Sequence, residues 1–139
     1  MAASQNELNQ ALQNLITMNG KKIEIKKVWT NASPTSAFAA QTVKVQLPEN
    51  AMVIIKHRYT TTTERYGMTL CKVGETCIMS QMPNAQSTSV VYVSRDVSVT
   101  TTGVTFGAGY GKSITSTSAG SANATNLPPV EIYSVKGVI

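Results

Sequence analysis

The stretch STSVVYVSRDVSVTTTGVTFGAGYG, residues 87–111, decides the fold class. It is dominated by Val, Ser and Thr, and β-branched side chains pack best on a pleated surface. STSVVYVSRDVSVTTT therefore reads as a long strand pair or one bent strand, and GVTFG as a further strand. The tail of the stretch, Gly111-Lys112-Ser113 behind Gly107 and Gly109, raises the question of a phosphate-binding loop. That motif needs G-x-x-x-x-G-K-[ST] between a buried strand and a helix. Here Phe106 occupies the position of the first glycine, and the segment that follows, ITSTSAGSANATNLPP, favours turns over a helix. A glycine turn leading into a mobile polar loop, residues 113–126, is expected instead, with Lys112 facing solvent.

Working outward, KIEIKKVW and TVKVQL alternate at period two, and AMVIIKHRY is a more continuously apolar run suited to a buried strand. GMTLCKV and TCIMSQM suggest a hairpin turning at Gly74-Glu75, and VEIYSVKGV closes the chain. Roughly eight short strands separated by polar turns predict a mainly β domain over residues 21–139, an antiparallel β-sandwich of jelly-roll-like form.

The first twenty residues differ in kind. Ser4 and Glu7 form a capping-box pattern. Leu8, Ala11, Leu12, Leu15 and Ile16 follow at helical spacing, and Asn19-Gly20 supplies a stop. Residues 1–20 are thus expected to form one short amphipathic helix. A helix of about fifteen residues is marginal alone, so its stripe at Leu8, Leu12, Leu15 and Ile16 must fold back on the domain, bundle with copies of itself, or anchor in a larger assembly.

Composition narrows the function. The chain of 139 residues carries a formal charge of +5, with 14% charged residues and a single histidine. Its basic character comes from few acids, and the cluster Lys21, Lys22, Lys26 and Lys27 lacks the arginines and reading element of a nucleic-acid binder. Neither a membrane span nor a secretory signal is evident. Cys71 and Cys77 match no zinc spacing, and His57 lies in another strand, so no metal site is expected and the thiols are read as free and buried. The acids Glu7, Glu24, Glu49, Glu64, Glu75, Asp96 and Glu131 nominate no catalytic pair. His57 reads as part of a strand emerging to solvent, and Arg95 with Asp96 as a surface pair. No catalytic residue and no cofactor is expected. The sequons at Asn31 and Asn123 carry no weight in a chain this rich in Ser and Thr. Tyr110, flanked by glycines, is placed to stack on a sugar ring or anchor a protein contact, with Lys112 beside it as a second possible ligand contact.

Three patterns carry a resemblance. Trp29, Asn31, Ser33, Pro34, Phe38 and Gln41 follow W-x-N-x-[SN]-P-x-x-x-F-x-x-Q. Residues 99–109 follow V-T-x-x-G-[VI]-x-F-x-x-G, and residues 129–137 follow P-x-x-I-Y-x-[VI]-K-G. Over residues 27–137 the chain resembles small β-rich virion proteins and the tail-fibre or baseplate-tip domains of tailed bacteriophages. The resemblance implies a non-enzymatic virion component, trimeric, partnered by other virion proteins, and located in particles assembled in the host cytoplasm. It lacks a fibre shaft, which leaves a fibre, head-fibre or decoration, or baseplate subunit open, with the N-terminal helix as oligomerisation element or anchor. The alternative is a carbohydrate-binding module that recognises a host surface glycan through Tyr110.

Overall fold

A computed structural model describes residues 4–10, 22–60, 65–85 and 89–138. Residues 5–10 are helical, and the capping box forms in both directions: the Glu7 amide donates to Ser4 Oγ and the Ser4 amide to Glu7 Oε2, each at 3.2 Å. Leu8 is exposed on this helix. The other expected stripe positions, Leu12, Leu15 and Ile16, and the stop at Asn19-Gly20 lie outside the described residues.

The rest is mainly β, with strands β1 (Lys22–Thr30), β2 (Gln41–Lys44), β3 (Met52–Arg58), β4 (Tyr66–Lys72), β5 (Thr76–Ala85), β6 (Ser89–Thr100), β7 (Gly103–Phe106), β8 (Tyr110–Thr115), β9 (Ala119–Ser121) and β10 (Pro129–Val138). Every pairing is antiparallel. One sheet runs β1-β10-β3-β4; the other runs β2-β7-β6-β8-β9, with β5 along the opposite edge of β6. The decisive stretch is one strand of twelve residues, β6, rather than a strand pair. β5 flanks it on one side, while β7 and then β8 flank it on the other.

Alternation sets which side chains meet. Val53, Ile55 and Ile132 from the first sheet and Val93, Val97, Val99, Val104 and Phe106 from the second point into one shared core, closed by Phe38, Val45, Leu47 and Leu127 from connecting segments. Each such side chain taken from water contributes about 1.5–3 kcal/mol. A bulge between Lys27 and Trp29 is what brings Trp29 into this core. Lys27 lies opposite Tyr133 on the outer face, and the extra residue turns Trp29 to the side of buried Ile132. Trp29, Phe38 and Phe106 then stack edge to face, with centroids 6.1 and 5.4 Å apart.

Two sequence expectations are corrected here. GMTLCKV and TCIMSQM are not a hairpin: β4 pairs with β3 and β5 with β6, so the chain crosses from one sheet to the other at Val73-Gly74-Glu75. The turn is held by the Gly74 amide donating to Val99 O and the Val99 amide to Glu75 O, and Gly74 takes φ +93°, a conformation that costs glycine little. The Ser/Thr/Asn-rich segment is not a bare loop either. It forms the β8–β9 hairpin and a 3-10 turn, Ala124–Asn126, capped by Asn123.

The glycines of GAGYG serve close packing. Gly109 has φ +79°, and a Cβ there would lie 2.3 Å from Ser94 O and 2.7 Å from both Arg95 Cγ and Ala124 Cβ. Gly120, in the same region of sequence, meets nothing within 4 Å. Gly109→Ala is therefore expected to cost at least about 2 kcal/mol, and Gly120→Ala to stay within about 0.5 kcal/mol of the parent. Urea unfolding of the two variants checks both.

Candidate functional site

The chemistry-bearing side chains divide into a buried set and an exposed set. His57 is buried, contrary to its reading as a strand residue emerging to solvent. Its place on β3 points inward, and Gly67 opposite it on β4 leaves room for the ring; a Cβ on Gly67 would sit 2.4 Å from His57 Cε1. Gln81 Nε2 donates to Arg65 O, which orients Gln81 Oε1 as the acceptor for His57 Nδ1–H at 2.9 Å. Nε2 then accepts from the Thr69 hydroxyl at 3.1 Å. Both ring nitrogens are used by a neutral imidazole, and burial lowers the histidine below its ordinary value, only partly offset by Gln81. The ring bridges the two sheets and is a structural group.

Arg95 is likewise buried and makes no surface pair with Asp96. Nε donates to Gly107 O at 2.9 Å, and Nη1 to Phe38 O at 2.7 Å and to Leu127 O at 3.4 Å. Its guanidinium carbon lies 5.6 Å from the Phe38 ring centroid and 6.0 Å from that of Phe106. Burial lowers the Arg95 pKa. The thiols are free, Cys71 buried and Cys77 partly so. Burial, reinforced by the neighbouring Cys77, pushes Cys71 up to about 12, so it is protonated and unreactive at neutral pH. Among the described residues no group of His, Cys, Asp and Glu is arranged to hold a metal ion, and no helix is long and apolar enough to cross a membrane.

Both sequon asparagines serve the backbone. Asn31 Nδ2 donates to Pro129 O, and its Oδ1 accepts from the Ser33 amide, each at 2.8 Å. Asn123 Oδ1 accepts from the amide and the hydroxyl of Thr125.

On the outside, Tyr110 and Lys112 share the outer face of β8. Tyr110 opens the strand rather than sitting in a loop, and the residue is 55% exposed. Ser94 lies opposite Tyr110 and Tyr92 opposite Lys112, so the pairing adds Tyr92, Ser94 and Asp96 of β6 to the two residues expected from sequence. Ser94, Arg95, Asp96, Gly109 and Tyr110 line a concavity of about 240 Å³. This is the candidate site: an exposed aromatic ring beside a carboxylate and a hydroxyl, the combination that stacks on a sugar face while bonding its hydroxyls. Period-two alternation along β6 could have nominated Tyr92, Ser94 and Asp96 as one face, but only the β6–β8 register sets Tyr110 beside them.

The lysine cluster is divided by the strand. Lys26 and Lys27 point to opposite faces of β1, and Lys27 Nζ lies 3.4 Å from Glu131, which also meets Lys56 at 3.7 Å. Tyr133 donates its hydroxyl to Glu131 at 2.5 Å. That bond, with the Lys27 charge behind it, holds the Glu131 carboxyl below its usual range and raises the Tyr133 hydroxyl.

Comparison with known proteins returns no matching family, no matching curated protein and no matching solved structure.

The buried imidazole makes stability pH-dependent. Its folded value lies below the ordinary 6.5, so the unfolded chain takes the proton more readily. The contribution is complete above about pH 6.5 and is lost as pH falls towards the lowered folded value. The melting temperature is expected to drop between neutral pH and about pH 5, and the drop to shrink in His57→Gln. Because the chain has one histidine, NMR titration reads it alone and should give a midpoint below 6.5.

Proposed function

We propose that this chain is a non-enzymatic structural component of a tailed-phage virion, a fibre, head-fibre or decoration, or baseplate subunit. In this reading residues 1–20 are an oligomerisation element or anchor, and residues 21–139 form a β-sandwich of jelly-roll-like form. One observation carries it: the apolar positions on which the resemblance rests, Trp29, Phe38, Val99, Val104, Phe106 and Ile132, belong to a single packing system. Trp29, Phe38 and Phe106 are its edge-to-face aromatic chain. Asn31 ties the start of the domain to Pro129 near its end, while β10, which holds the third pattern, pairs with β1. Such residues serve a scaffold and not a reaction. The wrapping also fits a jelly roll in part, since β1, β2 and β3 alternate between sheets and β10 returns beside β1.

The exposed Tyr110 ring in its concavity favours a second reading, a carbohydrate-recognition module. The two are compatible when a virion subunit also contacts the host.

Native mass spectrometry of the full chain is expected to show a trimer that dissociates in Leu8→Asp, and immunogold labelling to place the chain on purified particles. Particles that lack the chain would overturn the virion assignment. A monomer at every concentration would overturn the helix-bundled trimer alone. For the glycan reading, Tyr110→Ala should abolish retention on glycans that the parent chain binds, and an array on which the parent binds nothing would remove it.

A further inference from the structure

The two sheets have unlike outer faces. On the second, the outward positions include Thr42, Thr105, Ser98 and Thr76, with the hydroxyls of Thr42 and Thr105 and of Thr76 and Ser98 bonded at 2.8 Å. The same face also exposes Ile78, Tyr92 and Tyr110, each opposite a polar partner, Asp96, Lys112 and Ser94, and Ile114 opposite Val90. The first sheet is different. Strand register puts Ile25, Val135, Met52 and Lys72 in one row and Lys27, Tyr133, Ile54 and Leu70 in the next, with Ile23 and Met68 at alternate positions on the same face. Ile23, Ile25, Tyr66, Met68 and Leu70 are exposed, from 49% for Tyr66 to 75% for Met68. A groove of about 470 Å³ between Ile54, Tyr66, Met68 and Tyr133 is floored by Gly67 and edged by Lys56.

Charge and size say what covers this face. Its outward charged residues are Lys27, Lys56, Arg58 and Lys72, and one carboxylate, Glu131, is shared by two of the lysines. A second copy laid face to face would set cations against cations. Four strands about 4.8 Å apart and seven residues long present on the order of 400 Å², about half of the roughly 800 Å² per partner of a stable protein–protein interface. The patch accommodates one helix, about 10 Å wide, running along the strands. We infer that the outer face of the β1-β10-β3-β4 sheet is the docking site for an amphipathic helix of another protein, whose apolar stripe is flanked by carboxylates. The stripe covers Ile54, Met68, Leu70 and Tyr133. The flanking acids meet Lys72 at the β4 edge and Lys27 at the β1 edge, with Lys56 between them on β3. This inference stands apart from the virion assignment, since it requires only a partner of that chemistry.

The test is fluorescence anisotropy of the full chain with a labelled helical peptide of about sixteen residues, long enough to span the strands. It carries Leu at i, i+3, i+4 and i+7 with Glu on both flanks, and a control peptide carries Lys at the flanking positions. The Glu peptide is expected to bind about tenfold more tightly than the Lys peptide, with the difference shrinking as salt is raised. Leu70→Glu and Met68→Glu, both at solvent-facing positions, should abolish binding while the melting temperature holds. Lys72→Glu together with Lys56→Glu should reverse the preference. No binding of either peptide, equal binding of both, or binding untouched by Leu70→Glu would overturn the inference. So would a native mass that falls in Met68→Glu, which would make the face a contact between copies. A rise in peptide affinity in Leu8→Glu would assign the face to the chain's own N-terminal segment and would also overturn it.

Discussion

The guanidinium of Arg95 is a cation placed in the centre of an apolar core, and the geometry around it determines how the segments meet. It accepts the cost of desolvation only because carbonyls of three separate segments turn towards it: Phe38 from the β1–β2 connection, Gly107 from the β7–β8 connection, and Leu127 from the approach to β10. Buried carbonyls without donors would each cost about 1–3 kcal/mol. One side chain therefore fixes three irregular segments that no sheet ladder holds. The rings of Phe38 and Phe106 lie within cation–π reach of it, so the same charge also orients the aromatic chain that begins at Trp29. Gly109 completes the arrangement, because only a residue without a Cβ lets the β7–β8 connection pass over the Arg95 stem.

That arrangement explains why β7 and β8 lie along one edge of β6 in succession. The ladder with β7 covers Val97 to Thr100, the ladder with β8 covers Ser89 to Ser94, and the interruption falls at Arg95 and Asp96. The glycine-rich connection leaves the sheet there, delivers the Gly107 carbonyl to the guanidinium, and re-enters at Tyr110. Exposure of the Tyr110 ring beside Ser94 and Asp96 thus follows from bringing the Gly107 carbonyl to a buried arginine, whose Nη2 has no hydrogen-bond partner among the described residues. The GAGYGKS stretch, which looks like a phosphate loop, is a packing device.

Much of the fold was legible in the chain because period-two alternation has one physical meaning wherever one face of a strand is buried. It located the strands around Val43, Val53 and Val135. The capping box of Ser4 and Glu7 was equally plain, because it is satisfied within four residues. What escaped were features settled by distant segments. His57 and Arg95 look like surface residues, since a charged or titratable side chain in a strand is normally solvated; each is buried because its partners, Gln81 and Thr69 or the three carbonyls, come from elsewhere. GMTLCKV and TCIMSQM looked like the two arms of a hairpin, yet their strands belong to opposite sheets.

For the candidate surfaces the division is the same. Sequence alone determined that the chain is built of short antiparallel strands behind a capped helix and that it carries a surplus of positive charge. It also singled out Tyr110. Tertiary structure decided that Tyr92, Ser94 and Asp96 join that tyrosine, and that Lys27 and Lys56 meet at Glu131. It decided as well that Ile25, Ile54, Met68 and Leu70 gather on one exposed face instead of filling the core. The physical reason is register: along a strand, local pattern shows that alternate residues share a face. Which faces meet each other and which meet water depends on strand order and on single-residue bulges such as that at Lys27 and Trp29. Those are set by contacts between residues far apart in the chain.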